Sequence, residues 1–463
     1  MLRVLNVFCG SIPGLNHAEQ DQLRQHNVVP CDDFASVTGL LKNPKLGVLL
    51  SLLFAASMWF YVQQVLIAYQ RTDAAAHDRP RGNLSDLYPR WLGARELLLH
   101  HRDPYSPEIT REIQAGYYGR PLDPSRPNDP KDQQGFAYPL YVVFLLAPTI
   151  TLPFTLVQAA FRWFLVILTA ATVPLWLRAL RWHPSKTTMA ILTILTLGSF
   201  PAVQGIKLQQ LSLVVAGLIA GCAALLAAGH LLLAGVVLAL ATIKPQLAIP
   251  LAAWLVLWSF NDWRHRQCFL WGFGGTMAAL LAAAQYLLPG WVSRFREALV
   301  AYRDYTGGAR SVLDLLTTPA LGRILTALAL LGLAVVCWRL RRAATDSDHF
   351  VSVTVLVLTV TIGVIPTFAP YNQVLLLPAI FLLVQHWSAL WHKNIALRLV
   401  AGIAVLVVAW PWLVALSLAM ASLALPPASV QRAWFVPFYT SNTIPVAVLA
   451  LFSLLMGHLQ DSH

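Results

Sequence analysis

Apolar runs recur along almost the whole chain, each separated from the next by a polar segment. A membrane-spanning helix needs about 20 apolar residues, or somewhat fewer when it packs inside a bundle. By that criterion the pattern predicts about twelve spans. They lie near 46–69, 137–152, 155–180, 187–203, 209–228, 231–258, 267–288, 317–339, 350–367, 371–387, 396–423 and 438–458. The predicted fold class is an all-α polytopic membrane bundle.

Polar ends and two long loops complete the predicted organisation. Residues 1–45 are polar and without pattern, which predicts a cytoplasmic extension ahead of a transmembrane domain at 46–458, and residues 459–463 form a short tail. The first apolar run begins too far from the N-terminus for a cleaved signal peptide. The long loops are 70–136 and 289–316, and both are predicted on the outer side.

Composition supports a lipid environment and sets an orientation. Of the 463 residues, 57% are hydrophobic and 12% are charged, whereas about a quarter of a soluble domain is charged. The net charge of +12 comes from short basic clusters between apolar runs, a positive-inside pattern that offers no continuous face for nucleic acid. With the N-terminus inside, the inner loops contain Arg264 and Arg266, the cluster 339–342, and Lys393. The basic segment 178–186 would face outward, against the rule.

The first long loop holds about half of the chain's 21 acidic residues, and Asp86 follows the first span closely. A carboxylate at the membrane surface can act as a general base toward a sugar hydroxyl. A glycosidase needs a second carboxyl group to protonate a poor leaving oxygen, whereas a lipid phosphate already leaves as a stable anion. One loop aspartate therefore suffices for transfer from a lipid phosphate. The alternative interpretation makes Asp86 the N-cap of a following helix.

Other residues around this loop have both a structural and a functional interpretation. Residues 87–99 predict an amphipathic helix in the membrane interface. Asp103-Pro104 predicts the turn that stops this helix, with shaping of an acceptor site as the alternative. Tyr138 would anchor the chain at the interface or line the mouth of a site. His183 is a weaker candidate for phosphate binding.

Lys244, followed by Pro245 and Gln246, is the sharpest feature inside a predicted span. An ionisable residue at that depth costs about 2.5–3.5 kcal/mol on insertion scales and normally faces a cavity or a partner. Pro245 removes a helix hydrogen bond and predicts a break, and a broken helix with a buried cation suits an anionic headgroup such as phosphate. The alternative is two short helices joined by an ordinary loop. The polar interruption 368–373, which contains Tyr371, is predicted on the outer side and could bond a sugar.

Several short motifs, taken in their order along residues 46–455, resemble a known family. They are Asp86 with Tyr88 and Trp91, Asp103-Pro104-Tyr105, Phe136-Ala137-Tyr138-Pro139, Pro148 and Pro153, Gln209, Ala234-Gly235 leading to Lys244-Pro245, and Pro370-Tyr371 before Leu375-Leu376-Leu377-Pro378. Their order and spacing are similar to those of the polyprenyl-phosphate-dependent glycosyltransferases of the GT-C fold, most closely glycosyltransferase family 87, which includes mycobacterial mannosyltransferases.

The resemblance implies a GT-C-like bundle in which Asp86 is the catalytic base of an inverting hexosyltransferase. It implies a polyprenyl-phosphate sugar donor, often of mannose, a lipid-linked or glycan acceptor, and a bacterial plasma membrane with the active site on its outer face. The candidate substrate-binding residues are Tyr88, Trp91, Arg95, Asp103, Tyr105, Tyr138, His183, Lys244, Gln246 and Tyr371. No tightly bound cofactor is expected, and the lack of an Asp-x-Asp pair near Asp86 puts a metal requirement in doubt.

A polytopic transporter or lipid flippase is the rival function. Lys244 beside a helix break would serve transport equally well. The size of loop 70–136 and the lack of a visible internal repeat favour the transferase, because a simple transporter needs no such loop. An inactive membrane scaffold would leave Lys244 without a reason.

Overall fold

The computed structural model of this chain describes residues 43–82, 85–123, 125–305, 310–366, 369–392 and 395–461. Within these ranges the structure consists of helices and their connections, with no β-strand. The all-α class predicted from the apolar pattern is therefore confirmed. The predicted N-terminal extension lies outside the described residues up to residue 42, and so do Lys393 and the last two residues of the tail.

The helices follow one another along the chain with mostly short connections. In the first half they are α1 Pro44–Ala76, α2 Tyr88–His100, α3 Pro107–Tyr118, α4 Val142–Leu146, α5 Phe154–Ala179, α6 Lys186–Leu197, α7 Phe200–Leu208, α8 Leu211–Ala227 and α9 Leu231–Ala241. In the second half they are α10 Pro245–Phe260, α11 Trp263–Leu287, α12 Trp291–Tyr305, α13 Val312–Leu316, α14 Pro319–Arg339, α15 Asp348–Val364, α16 Pro370–Gln385, α17 Trp387–His392, α18 Ile395–Ala421, α19 Pro427–Gln431, α20 Phe435–Thr440 and α21 Ile444–Asp461.

Six helical segments of the described chain are long and apolar enough to cross a membrane. They are α1, α5, α11, α14, α18 and the run Pro427–Gly457; α6 and α7, bent by 54° relative to each other, make a seventh if the pair is one span. Five shorter apolar helices accompany them, namely α8, α9, α10, α15 and α16. These helices are those of a polytopic membrane protein, and the figure of twelve spans stays a prediction.

The span predicted at 137–152 is wrong. This stretch contains only α4, which has five residues, and one 3-10 turn at Ala147–Thr149. At about 1.5 Å per residue, the two together fall far short of a hydrocarbon core about 30 Å thick. Two prolines, at 139 and 148, interrupt the stretch and a third, at 153, follows it directly. Proline both removes a backbone donor and clashes with the preceding helical turn.

The span predicted at 231–258 consists of two helices. α9 ends at Ala241 and α10 begins at Pro245, so that the intervening residues form the break that the proline predicts. One crossing is therefore lost before α5 and one is gained after α9. The helices between these two points run in the opposite direction from the one predicted.

Basic residues from three connections meet at one end of the bundle. Arg181, between α5 and α6, donates to a backbone carbonyl of the α14–α15 connection. Arg266, near the start of α11, donates to another carbonyl of that connection over 3.2 Å, and Arg341 donates to the Asn261 side chain over 3.1 Å. The predicted outward position of segment 178–186 is therefore wrong, because it rested on the false span before α5. A single orientation now satisfies the positive-inside rule at all three connections.

The first long loop folds into α2 and α3. The predicted helix 87–99 is observed as α2, which ends where His101 adopts a left-handed φ of 55°. The side chain of Asp103 then accepts a hydrogen bond from the Tyr105 backbone over 3.0 Å, so the predicted turn is present. Ser106 caps α3 by accepting from the Ile109 backbone over 3.3 Å. These local bonds fix the entry to the segment that leads to α4.

Close backbone contact joins α9 to α11, and it depends on glycine. A Cβ atom at Gly272 would lie 2.1 Å from the Leu232 carbonyl oxygen, and one at Gly235 would lie 2.3 Å from the Phe269 carbonyl oxygen. Small residues at such crossings allow helices in membranes to approach closely. The obstructing atoms belong to the backbone, which cannot turn aside as a side chain can.

We expect Gly272→Ala to destabilise the bundle by about 1–3 kcal/mol, because overpacking forces the two helices apart. Gly274→Ala is the matched control. Gly274 lies on the same helix as Gly272, and a Cβ atom there would meet nothing within 4 Å. Thermal unfolding in detergent measures the difference, with a lower Tm expected for the first variant only. Equal Tm values for the two variants would contradict this tight contact.

Candidate functional site

A cavity of about 440 Å³ lies at the end of the bundle where the first loop meets the α7–α8 junction, the α9–α10 break, α12 and the start of α16. Five of the predicted site residues line it: Asp86, Tyr138, Lys244, Gln246 and Tyr371. They come from four separate parts of the sequence. The fold thus brings the carboxylate of the first loop and the buried Lys244 ammonium to one place.

Backbone and side-chain hydrogen bonds fix Asp86 to the junction between α7 and α8. Its backbone N–H donates to the Leu208 carbonyl over 2.8 Å, and its carboxylate accepts a hydrogen bond from the Gln210 amide nitrogen. The preceding Ser85 hydroxyl donates to the Gln209 side chain. The cap residue of α2 is Leu87, without a side-chain hydrogen bond. The structure therefore contradicts the alternative in which Asp86 is a helix cap.

Lys244 enters the cavity from the break between α9 and α10, and only 6% of its surface is exposed. Its Nζ lies 2.5 Å from the Ser212 hydroxyl oxygen, 3.4 Å from the Gln210 amide oxygen and 4.9 Å from the centre of the Tyr371 ring. Ser212 in turn donates to the Asn372 side-chain oxygen over 2.8 Å. Within the described ranges, Lys244 forms no ion pair with a carboxylate. A buried ammonium that is held by neutral groups can still form a charge-assisted hydrogen bond with an anionic ligand.

The side chain of Gln210 links the two charged residues. Its amide nitrogen donates to the Asp86 carboxylate, and its amide oxygen accepts from the Lys244 ammonium. Each end of the amide therefore faces the charge that suits it, which determines how the side chain is oriented. The carboxylate and the cation are held on one cavity wall, joined by a single side chain.

Burial raises the pKa of the Asp86 carboxyl to about 6, because the charged form loses its hydration. The Arg90 guanidinium and the Lys244 ammonium oppose this rise, and the Asp132 carboxylate adds to it. Arg90 also donates to the Asp86 carbonyl over 2.8 Å. The carboxylate is thus a stronger base than an exposed aspartate, and it remains ionised at neutral pH.

Five further predicted site residues from the first loop pack away from the cavity. Tyr88 lies 4.8 Å from the Phe154 ring, centre to centre, and the Trp91 indole donates to the Thr149 carbonyl over 3.2 Å. Arg95 lies over the Trp91 ring, Tyr105 donates to the Tyr138 carbonyl over 2.6 Å, and Asp103 pairs with Arg294 over 2.8 Å. None of these five residues lines the cavity, so the structure does not bring them to Asp86 there, and their part in substrate binding stays a prediction.

His183 is also misplaced by the prediction. It is exposed in the connection between α5 and α6, two residues after Arg181, at the basic end of the bundle. The lost crossing before α5 moved this connection away from Asp86. His183 therefore has no access to the cavity.

Several residues that line the cavity are not among the site residues predicted from the sequence. Arg90 belongs to the first turn of α2, lies 4.5 Å over the Tyr138 ring and donates to the backbone carbonyl of Asp86. Asp132 comes from the end of the first loop, and Tyr302 comes from α12. Only the amphipathic character of α12 could have drawn attention to Tyr302, because its position at the site depends on the tertiary fold.

The described residues contain no group of three or more His, Cys, Asp or Glu side chains arranged to hold a metal ion. That the protein has no tightly bound cofactor stays a prediction, and so does the doubt about a metal requirement.

Comparison with known proteins identifies a family. A family model described as glycosyltransferase family 87 matches residues 136–370, a range that includes Tyr138, Gln210 and Lys244. Neither curated proteins nor solved structures yield a match.

Proposed function

Because the chain belongs to glycosyltransferase family 87, we propose that it moves a hexose, with mannose as the first candidate, from a polyprenyl-phosphate donor to a hydroxyl of a lipid or glycan acceptor. The family and the apolar helices make the protein a membrane glycosyltransferase. The donor, the sugar, the acceptor and an inverting course are the proposal. One observation carries it: Gln210 holds both the Asp86 carboxylate and the Lys244 ammonium on one cavity wall.

Inverting transfer is a single displacement. The acceptor oxygen forms a bond to the anomeric carbon as the bond from that carbon to the phosphate oxygen breaks. Asp86 takes the proton of the acceptor hydroxyl, and the bonding electrons leave with the polyprenyl phosphate. Negative charge grows on the phosphate during this step, and charge-assisted hydrogen bonds from Lys244 stabilise it.

Part of the cavity wall suits a hydrocarbon chain. Ile249 of α10 and Leu299 of α12 both line the cavity, and they are 55% and 42% exposed. Apolar surface beside a polar, charged recess favours a ligand with an anionic head and an apolar tail. A polyprenyl phosphate has this form, with its phosphate at Lys244 and its chain directed toward the lipid.

The charge distribution supports a location on the outer face. α6 begins at the basic end of the bundle, and the chain passes through α6 and α7 to reach Gln210 at the site. The positive-inside rule places basic connections in the cytoplasm. Asp86 then opens on the outer side of a bacterial plasma membrane.

The transfer rate is expected to rise with pH along a limb centred near pH 6 and to level off above it, because only the carboxylate form of Asp86 accepts a proton. Asp132→Asn removes a negative neighbour, so the limb should move to lower pH. Arg90→Gln removes an opposing cation, so the limb should move to higher pH. Initial rates across the weakly acidic range measure both shifts. A limb that stays in place in both variants would mean that another group titrates.

Reconstitution into liposomes with labelled donors tests the proposed function. The purified protein is given either polyprenyl-phosphate mannose or a nucleotide-linked mannose, together with a lipid extract that contains acceptors. Label should enter the extract from the polyprenyl donor alone. Transfer only from the nucleotide donor would overturn the proposed donor class. Movement of the labelled lipid between leaflets without any transfer would favour the flippase.

A further inference from the structure

A second cavity, of about 390 Å³, adjoins the first beside Asp86. Asp86, Asp132 and Gln134 line both cavities. The same carboxylate can therefore be reached by two ligands at once, one from each cavity. A transferase needs such an arrangement, because the donor and the acceptor must meet at the base.

The wall of the second cavity is rich in polar and charged groups. Two of them are the guanidinium groups of Arg79 and Arg81, which differ in whether they form an ion pair. Arg79 forms an ion pair with Asp73. Arg81 is half-buried, and its Nη2 donates to the neutral Gln70 side-chain oxygen over 2.7 Å. The Arg81 Nε is buried without a hydrogen-bond partner. In the part of the chain that the structure describes, Arg81 forms no ion pair with a carboxylate.

Close packing holds Arg81 in place on this wall. A Cβ atom at Gly82 would lie 2.2 Å from the Tyr117 ring, so the chain beside Arg81 can approach Tyr117 only because residue 82 is glycine. Burial lowers the pKa of Arg81, since desolvation penalises its charged form. A bound anion would offset this cost.

We propose that the second cavity binds the acceptor, and that Arg81 binds a negatively charged group, a phosphate or a carboxylate, that the acceptor carries apart from its attacking hydroxyl. The inference rests on the proposed function, because it takes Asp86 as the base. The donor occupies the first cavity with its phosphate at Lys244, and the two substrates meet at Asp86. The acceptor is then an anionic glycan or glycolipid.

A structural role for Arg81 predicts something different. An arginine that only holds Gln70 would not distinguish charged from neutral ligands. A guanidinium that forms a charge-assisted hydrogen bond to the acceptor should favour the charged ligand by about tenfold or more. Discrimination between ligands matched in all but charge therefore separates the two roles.

Binding of soluble acceptor analogues tests the inference without turnover. The probes are three alkyl mannosides, one neutral, one bearing a phosphate and one bearing a carboxylate, titrated into the full-length protein in detergent. The wild type should bind a charged probe about tenfold more tightly than the neutral one, and the stronger of the two charged probes identifies the anion. Arg81→Gln should remove this preference and leave neutral binding unchanged.

Arg71→Gln is the matched control. Arg71 is exposed, lies close enough to Arg81 to influence it electrostatically, and does not line either cavity. This variant should keep the preference of the wild type. Equal binding of all three probes by the wild type, or a preference that survives in Arg81→Gln, would overturn the inference. Release of polyprenyl phosphate from the donor reports on the proposed function separately, so either one can fail while the other stands.

Discussion

Replacing Asp86 with asparagine is expected to lower kcat for sugar transfer by about 10²–10⁴-fold, the usual contribution of a general base. The amide cannot take a proton from the acceptor hydroxyl at neutral pH. Its oxygen can still accept the hydrogen bond that Gln210 donates to the carboxylate, so the cavity should keep its shape. Initial rates of label transfer measure the loss, and thermal unfolding shows whether the variant is folded.

Asp123→Asn provides the matched control for this experiment. Asp123 lies in the same long loop, with 47% of its side chain exposed, and it lines neither cavity. This variant should transfer sugar at the wild-type rate. Should Asp86→Asn retain more than about a tenth of wild-type activity, the base must be another group.

Lys244→Gln is expected to lower kcat/KM for the lipid donor by about 10–100-fold, the usual range for losing a charge-assisted hydrogen bond to phosphate. The same change should leave the melting temperature unchanged or raise it. Burying an ammonium among neutral groups is unfavourable, and the glutamine amide can still bond Ser212 and Gln210. Lower activity together with undiminished stability indicates a residue retained for its ligand and not for the fold.

Lys207→Gln is the matched control for that variant. Lys207 is also partly buried, donates to the Gln63 side chain over 2.6 Å and lies over the Trp59 ring, but it lines neither cavity. Its replacement should have little effect on donor use. A similar loss in both variants, or a large fall in Tm for Lys244→Gln, would assign Lys244 a structural role.

Local signals made part of this molecule predictable. The length of the apolar runs is a property of each segment alone, so the all-α membrane class could be predicted without knowing the packing. Lys244 and Pro245 stood out because a charge and a helix breaker are both costly inside an apolar run. Asp86 stood out because it comes shortly after the first span, in the long loop that holds about half of the acidic residues.

Other features depend on tertiary packing, which the sequence does not show locally. The stretch 137–152 is apolar enough to suggest a span, but its prolines limit it to a short helix. The aromatic residues near Asp86 were expected at the site, yet Trp91 serves to pack α2 in place. Asp132 and Tyr302 reach the cavity from distant parts of the chain. No pattern in the neighbouring residues marks such a convergence.

The concentration of arginine at one end of the bundle has a consequence for supply. In the orientation and with the donor proposed above, the enzyme takes its sugar lipid from the leaflet opposite the basic connections, because Asp86 and Lys244 lie at the other end of the helices. A donor molecule made in the cytoplasmic leaflet then cannot reach the cavity until its polar head has crossed the hydrocarbon core. This crossing is unfavourable for a charged group. Output in a living cell is then paced by lipid translocation whenever that crossing is slower than the chemical step.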